Sequence, residues 1–381
     1  MIAALLATLF AAAAATPAVA PAAPVAAAPA PAAGCLPATP LGGPGIADPF
    51  HAPLPKATEL NTAGKTYYRD GKWDEARIEY RAATDADPAF LAPRLNVACS
   101  FVRQERFEEA TAEVEALLKL AYVPWSREIL EAADLGALKP RPEMARIRRA
   151  MTAAAAAWGA GLDDAILFVG RARAPLKVPP TGAGFFILNP HQEIYAFLPT
   201  TGRFRQLTNE DGRVLGFLRT PDRRRVIYVI ADKLIRGAKD SDLALRGVSL
   251  GELSLATMTA EPAVRIDGDV RRIEMAAVGA MITVRIDGDR VSGTFRRGDR
   301  GVLEPLPPRP PGGRGGVVIT ARGAEPAGTP PAATGAAGCR VTVSEITTAG
   351  KPRTVVVSAP RRPPRRIGEQ FGAGLTGLPL P

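Results

Sequence analysis

The sequence predicts a multidomain α + β chain, with helical hairpins first and an all-β domain after them. Three observations carry this. Residues 60–120 repeat one hairpin pattern twice. The hydrophobic period switches from helical to alternating at Gly159. Proline and glycine, 37 of each, gather in two stretches, residues 16–55 and 305–338, that read as linker and loop. At 381 residues the chain is long enough for two domains with cores of their own. The expected divisions are 1–20, 21–55, 56–157 and 158–381.

The first segment, MIAALLATLFAAAAATP, is apolar throughout and ends in small residues, as a signal peptide or short anchor does. Ala13-Ala14-Ala15 is an acceptable cleavage site, although no Lys or Arg precedes Lys56. A full span needs about 20 apolar residues, and Pro17 intrudes first. Export to the periplasm or cell envelope is the expectation, with membrane contact only through an uncleaved N-terminus. Residues 21–55 are rich in Pro and Ala and form an extended tether. Cys35, Cys99 and Cys339 are far apart and form no C-x-x-C pair, so no disulfide is expected.

The hairpins come next. The first copy, LNTAGKTYYRDGKWDEARIEYRAATDADP, places Gly64, Tyr67, Gly71, Trp73, Ala76, Tyr80, Ala83 and Pro88 at two-helix spacings. A shift of 34 residues lands Ala98 on Gly64, Phe101 on Tyr67, Phe107 on Trp73 and Ala110 on Ala76. The helices are expected at 57–70, 73–86, 90–104 and 107–121. Small residues let paired helices approach closely, and Tyr67, Trp73, Tyr80 and Phe107 are expected to be core aromatics. On these residues the segment resembles the tetratricopeptide repeat family, whose hairpins bind other polypeptides and do no chemistry. Residues 122–157 keep helical periodicity (Ile129, Leu130, Ala133; Met144, Ile147, Met151) without the repeat's glycine and tyrosine, as capping helices do.

From Gly159 on, short β-type runs follow one another. The clearest are AILFVG (165–170), FFILN (185–189), EIYAFL (193–198), RFRQLT (203–208), RVLGFL (213–218), RVIYVI (225–230) and GELSLAT (251–257). Others are AVRID (263–267), RRIEMAA (271–277), AMITVRID (280–287), RVSGTF (290–295), GVVITA (316–321), RVTVSEI (340–346) and RTVVVSA (353–359). The stretch 205–229 carries Leu207-Thr208, Val214, Phe217, Thr220-Pro221-Asp222 and Tyr228, and so resembles the TolB-like propeller repeat, with Arg223 in place of its turn glycine. Ala263–Val284 aligns loosely with 204–229. The resemblance implies a propeller-like domain of about four degenerate blades. Residues 305–338 read as a disordered Pro/Gly-rich insertion, and Arg361-Arg362-Pro363-Pro364-Arg365-Arg366 as a stiff basic segment.

Chemistry is sparse. His51 and His191 are the two histidines, too few for a triad or a zinc site, and no Walker A, G-x-S-x-G or dinucleotide fingerprint occurs. Asp267/Asp269 and Asp287/Asp289 lack the ladder and distal Glu of a calcium loop and read as turn residues. No cofactor, metal or catalytic residue is expected. A net charge of +10 favours anionic partners, but no nucleic-acid motif accompanies it. The tetratricopeptide resemblance implies a ligand groove along the first helix of each hairpin, lined by Asn61, Lys65, Tyr68 and Arg69, then Asn96, Cys99 and Arg103. Lys65, Arg69 and Arg103 make it basic, suited to an acidic or carboxyl-terminal peptide. The resulting expectation is a non-catalytic interaction scaffold of the cell envelope with a protein or peptide partner. The alternatives are a module that binds envelope glycans or anionic polymers, and an enzyme with its site in a propeller channel.

Overall fold

The protein is described from a computed structural model. It describes residue 49, residues 53–171, and then 185–186, 192–198, 201, 203–236, 243–278, 281–297, 303–307, 316–320, 323–326, 333–334, 340–346, 354–358 and 365–366. The apolar start, most of the tether, Cys35, Cys339, both histidines and Arg361–Pro364 lie outside the described residues.

A helical region is followed by a β-rich region of antiparallel sheets. Helix α1 (Pro55–Arg69) starts on a proline, which suits the first turn because no N–H is needed there. Its buried residues Ala57, Asn61 and Gly64 follow helical spacing, and Gly64 packs against Tyr80 of α2 (Trp73–Ala86). Gly64 is required: a Cβ there would lie 2.6 Å from the Tyr80 ring. The buried Asp87 closes the hairpin, its carboxylate accepting from the Leu54 amide at 2.8 Å and the Ala89 amide at 3.2 Å.

The second hairpin, α3 (Ala92–Arg103) and α4 (Phe107–Leu120), repeats the first in backbone detail. Gly71 turns the first hairpin at φ 75°, and Glu105, at the same 34-residue offset, turns the second at φ 59°. The Lys72 amide donates to Tyr67 O at 2.9 Å, and Arg106 to Phe101 O at 3.0 Å. Residues Asp87 and Ala121 end their helices at φ −149°, ψ 90° and φ −157°, ψ 90°. The chain continues through α5 (Tyr122–Glu131), a 3-10 turn (Ala133–Leu138) and α6 (Pro142–Gly159).

Tyr80 and Phe107 are buried as expected, but Tyr67 and Trp73 are only half-buried. Trp73 sits at the hairpin's edge, its ring 4.9 Å from that of Tyr68 and edge-on to it. It opens α2 immediately after the turn, where solvent reaches one side of the indole.

The first sheet orders Ile166–Arg171, Gln192–Leu198 and Arg203–Gln206. The second orders Thr259–Arg265, Ser249–Ser254, Arg225–Ile230 and Val214–Arg219. A nine-stranded third sheet is centred on Asp269–Val278 and Met281–Gly288, and four short strands at 333–366 make another. The hairpin Lys233–Arg236/Leu243–Arg246 leaves the second sheet to join the third. These two runs are short, which is why alternation alone does not reveal them. Gly316–Thr320, within the expected β run GVVITA though inside the expected disordered insertion, is a strand paired with Asp269–Val278, and its Ile319 is fully buried.

The second sheet is a shared wall. Val226, Tyr228 and Ile230 face a core shared with the helices, while Ile227, Val229 and Ala231 face the core of the third sheet. In the neighbouring strand a register shift between Val214 and Gly216 changes the alternation, so that Val214 and Phe217 both face the helical side. The first core runs without a break from Tyr80 through Leu117, Ile147 and Trp158 to Leu167, Ile194 and Phe217. Gly159, the last residue of α6, meets the second sheet so closely that a Cβ would lie 2.3 Å from Leu255 O.

Candidate functional site

The first helices of the two hairpins, α1 and α3, flank a cavity of about 460 Å³. Thr62, Lys65, Tyr68 and Arg69 of α1, Tyr80 of α2, Asn96 and Cys99 of α3, and Asp134 of the 3-10 turn line it. Residues 62, 65 and 69 share a helix face because they recur at helical spacing.

Five of the seven residues expected to line the groove, Lys65, Tyr68, Arg69, Asn96 and Cys99, line the cavity. Asn61 does not. It is buried, and its Oδ1 accepts from Asn96 Nδ2 at 2.9 Å, holding α1 and α3 together. Arg103 borders the cavity but is already engaged. Its Nε donates to Tyr68 Oη at 3.0 Å, and its Nη2 meets Asp134 Oδ1 at 2.5 Å.

The cations are therefore unequal. Lys65 and Arg69 are exposed and, among the described residues, in no ion pair. Arg69 donates from Nη2 to the Thr66 hydroxyl at 3.3 Å. Arg103 is neutralised by Asp134. Burial pushes the Tyr68 hydroxyl up to about 12, against the lowering effect of the Arg103 hydrogen bond, so it stays a protonated donor. Burial likewise pushes the Cys99 thiol up to about 12, which leaves it a small apolar wall rather than a nucleophile. Asp134 is the residue that sequence reasoning misses. It lies thirty-one positions from Arg103, outside both repeats, and only the folded cap brings it there.

In the β half, described polar groups form bonded networks. Glu193 accepts from the Thr208 hydroxyl at 2.6 Å and from the Glu210 and Gly212 amides at 2.7 Å each. Arg219 is buried, and its guanidinium donates to Ala165 O, Leu162 O, Asp163 O and Arg223 O. Arg223 adopts φ 60°, the left-handed turn conformation, at the position where the sequence pattern has glycine. The two Asp-Gly-Asp triplets lie side by side, with the Asp269 amide donating to Asp289 Oδ1 at 2.7 Å. Arg246 and Arg271 pair with Asp269 and Asp287. Among the described residues no group of His, Cys, Asp and Glu is arranged to hold a metal ion.

No known family matches the sequence, and no curated protein matches it. Among solved structures the chain is similar to TolB from Acinetobacter baumannii, at 12% identity over 56% of this chain and 67% of that chain, with a TM-score of 0.20. So loose a superposition transfers neither a fold name nor a function.

Proposed function

We propose that the chain is an exported, non-catalytic interaction scaffold of the cell envelope, whose helical groove takes an acidic peptide ending in a free carboxylate. The observation that carries this is the cavity between α1 and α3, with Lys65 and Arg69 on its wall and, among the described residues, in no ion pair. Two cations on one helix face match a carboxylate, and Tyr68 and Asn96 add neutral hydrogen-bonding groups. The repeated turn and helix-end geometry supports a tetratricopeptide-type array capped by α5 and α6. In the β half, Leu207-Thr208 and the Thr220–Arg225 turn support a degenerate propeller-type origin. The apolar start of the chain supports export.

The test is fluorescence anisotropy with a labelled acidic octapeptide carrying a free carboxyl terminus. Each charge-assisted contact contributes about 1.5–3 kcal/mol, so Lys65→Ala/Arg69→Ala weakens binding by about two decades or more. Its melting temperature should match that of the unaltered protein. Equal affinities would remove the groove from the account.

A further inference from the structure

Asp134 is a carboxylate already present in a cavity that, on the reading above, receives carboxylates. It comes from the 3-10 turn Ala133–Leu138, which Leu135 and Leu138 anchor by complete burial. The anchored turn presents Asp134 to Arg103 at 2.5 Å, while Tyr68 holds the guanidinium from the other side at 3.0 Å. The same guanidinium lies 5.8 Å from the centre of the Tyr68 ring. Arg103 therefore keeps Tyr68 as a partner when Asp134 leaves it. The pair is open to water, with side-chain exposures of 50% for Arg103 and 39% for Asp134. An ion pair so exposed is held by about 0–1 kcal/mol and exchanges partners readily.

We infer that Asp134 is a built-in competitor, an internal carboxylate that occupies Arg103 while the groove is empty and yields it to an acidic side chain of the ligand. This rests on the proposed groove function and adds to it a ligand class and a control. A ligand with one carboxylate settles against Lys65 and Arg69 and leaves Asp134 in place. A ligand whose terminal carboxylate is joined by an acidic side chain also reaches Arg103 and displaces Asp134 into solvent. The groove therefore prefers diacidic chain ends, at an affinity kept below its ceiling by the internal carboxylate.

The experiment titrates two labelled pentapeptides with free carboxyl termini, Gly-Gly-Gly-Gly-Glu and Gly-Gly-Gly-Gly-Gly, against the full chain and its variants. Asp134→Asn should bind the diacidic probe about 5–10-fold more tightly, with at most a twofold change for the glycine probe. Asp134→Ala serves as a second variant should the amide still hold Arg103. Asp70→Asn removes an equal charge at the end of α1 and should leave both probes within twofold. In the Arg103→Gln background the Asp134→Asn gain should vanish. A gain equal to that of Asp70→Asn, or one that persists without Arg103, overturns the competitor. If Lys65→Ala/Arg69→Ala still weakens binding in that case, the groove stands and only the competitor falls. If neither the pair nor Asp134→Asn alters binding, both fall.

Discussion

Glu193 shows how a single residue sets a measurable pH dependence. Burial raises its carboxyl from the ordinary 4.5 to about 7, against the Thr208 hydroxyl and the two amides that favour the charged form. A carboxylate with a raised folded value favours folding below its unfolded pKa, and that contribution is lost as pH rises through the folded value. The chain should therefore lose stability between about pH 5 and pH 8, by about 3 kcal/mol from this group. Thermal melts across that range should show the decline, and a carboxyl-carbon NMR titration of Glu193 should have its midpoint near 7. A midpoint below 5 would mean that the three donors outweigh burial. The sequence gives no hint of this group, because Glu193 reads as one polar position in an alternating strand. Lys65 and Arg69 are legible because they depend only on helix periodicity and repeat offset. Asp134 is not, since its place depends on how the cap folds back.

At the scale of elements, the hairpins are legible because every helix boundary has a local cause. Gly71 makes the turn, Asp74-Glu75 and Glu108-Glu109 favour the helix starts, and prolines open α1, α3 and α6. Burial within them is less legible, because the same aromatic type serves as core at Tyr80 and as edge at Trp73. Tyr80→Ala should cost about 3–5 kcal/mol, whereas the half-buried Trp73→Ala should cost roughly 1–2 kcal/mol. Gly64→Ala pushes a methyl into the Tyr80 ring and should cost about 1–3 kcal/mol. Urea denaturation of the three variants checks this order, and a Trp73 loss equal to that of Tyr80 would contradict it. Strands with long β-branched runs are equally readable. The register shift after Val214 is not, because it depends on which neighbour the strand pairs with.

At the scale of the molecule, two successive modules were expected, yet the helices and the first two sheets share one core. Trp158 Nε1 donates to Gln206 O at 2.8 Å, and Arg219 bridges residues 162–165 to the turn at Arg223. The change of period at Gly159 is legible, but the packing across it is not, because composition does not tell which surfaces meet. The Leu117 amide in α4 and the Val229 amide in the second sheet should lose protection at the same denaturant concentration in native-state hydrogen exchange. Earlier release of the helices would show two independent units. The central claim is that recognition belongs to the folded helical groove and not to the basic chain near Arg361. It is tested most directly by titrating the acidic octapeptide against Lys65→Ala/Arg69→Ala and against Arg361→Ala/Arg362→Ala side by side. The helix pair should lose about two decades or more of affinity, while the second pair alters only the weak, salt-screened component. Loss of binding in the Arg361/Arg362 variant with the helix variant intact would contradict the groove and leave polyanion recognition in its place.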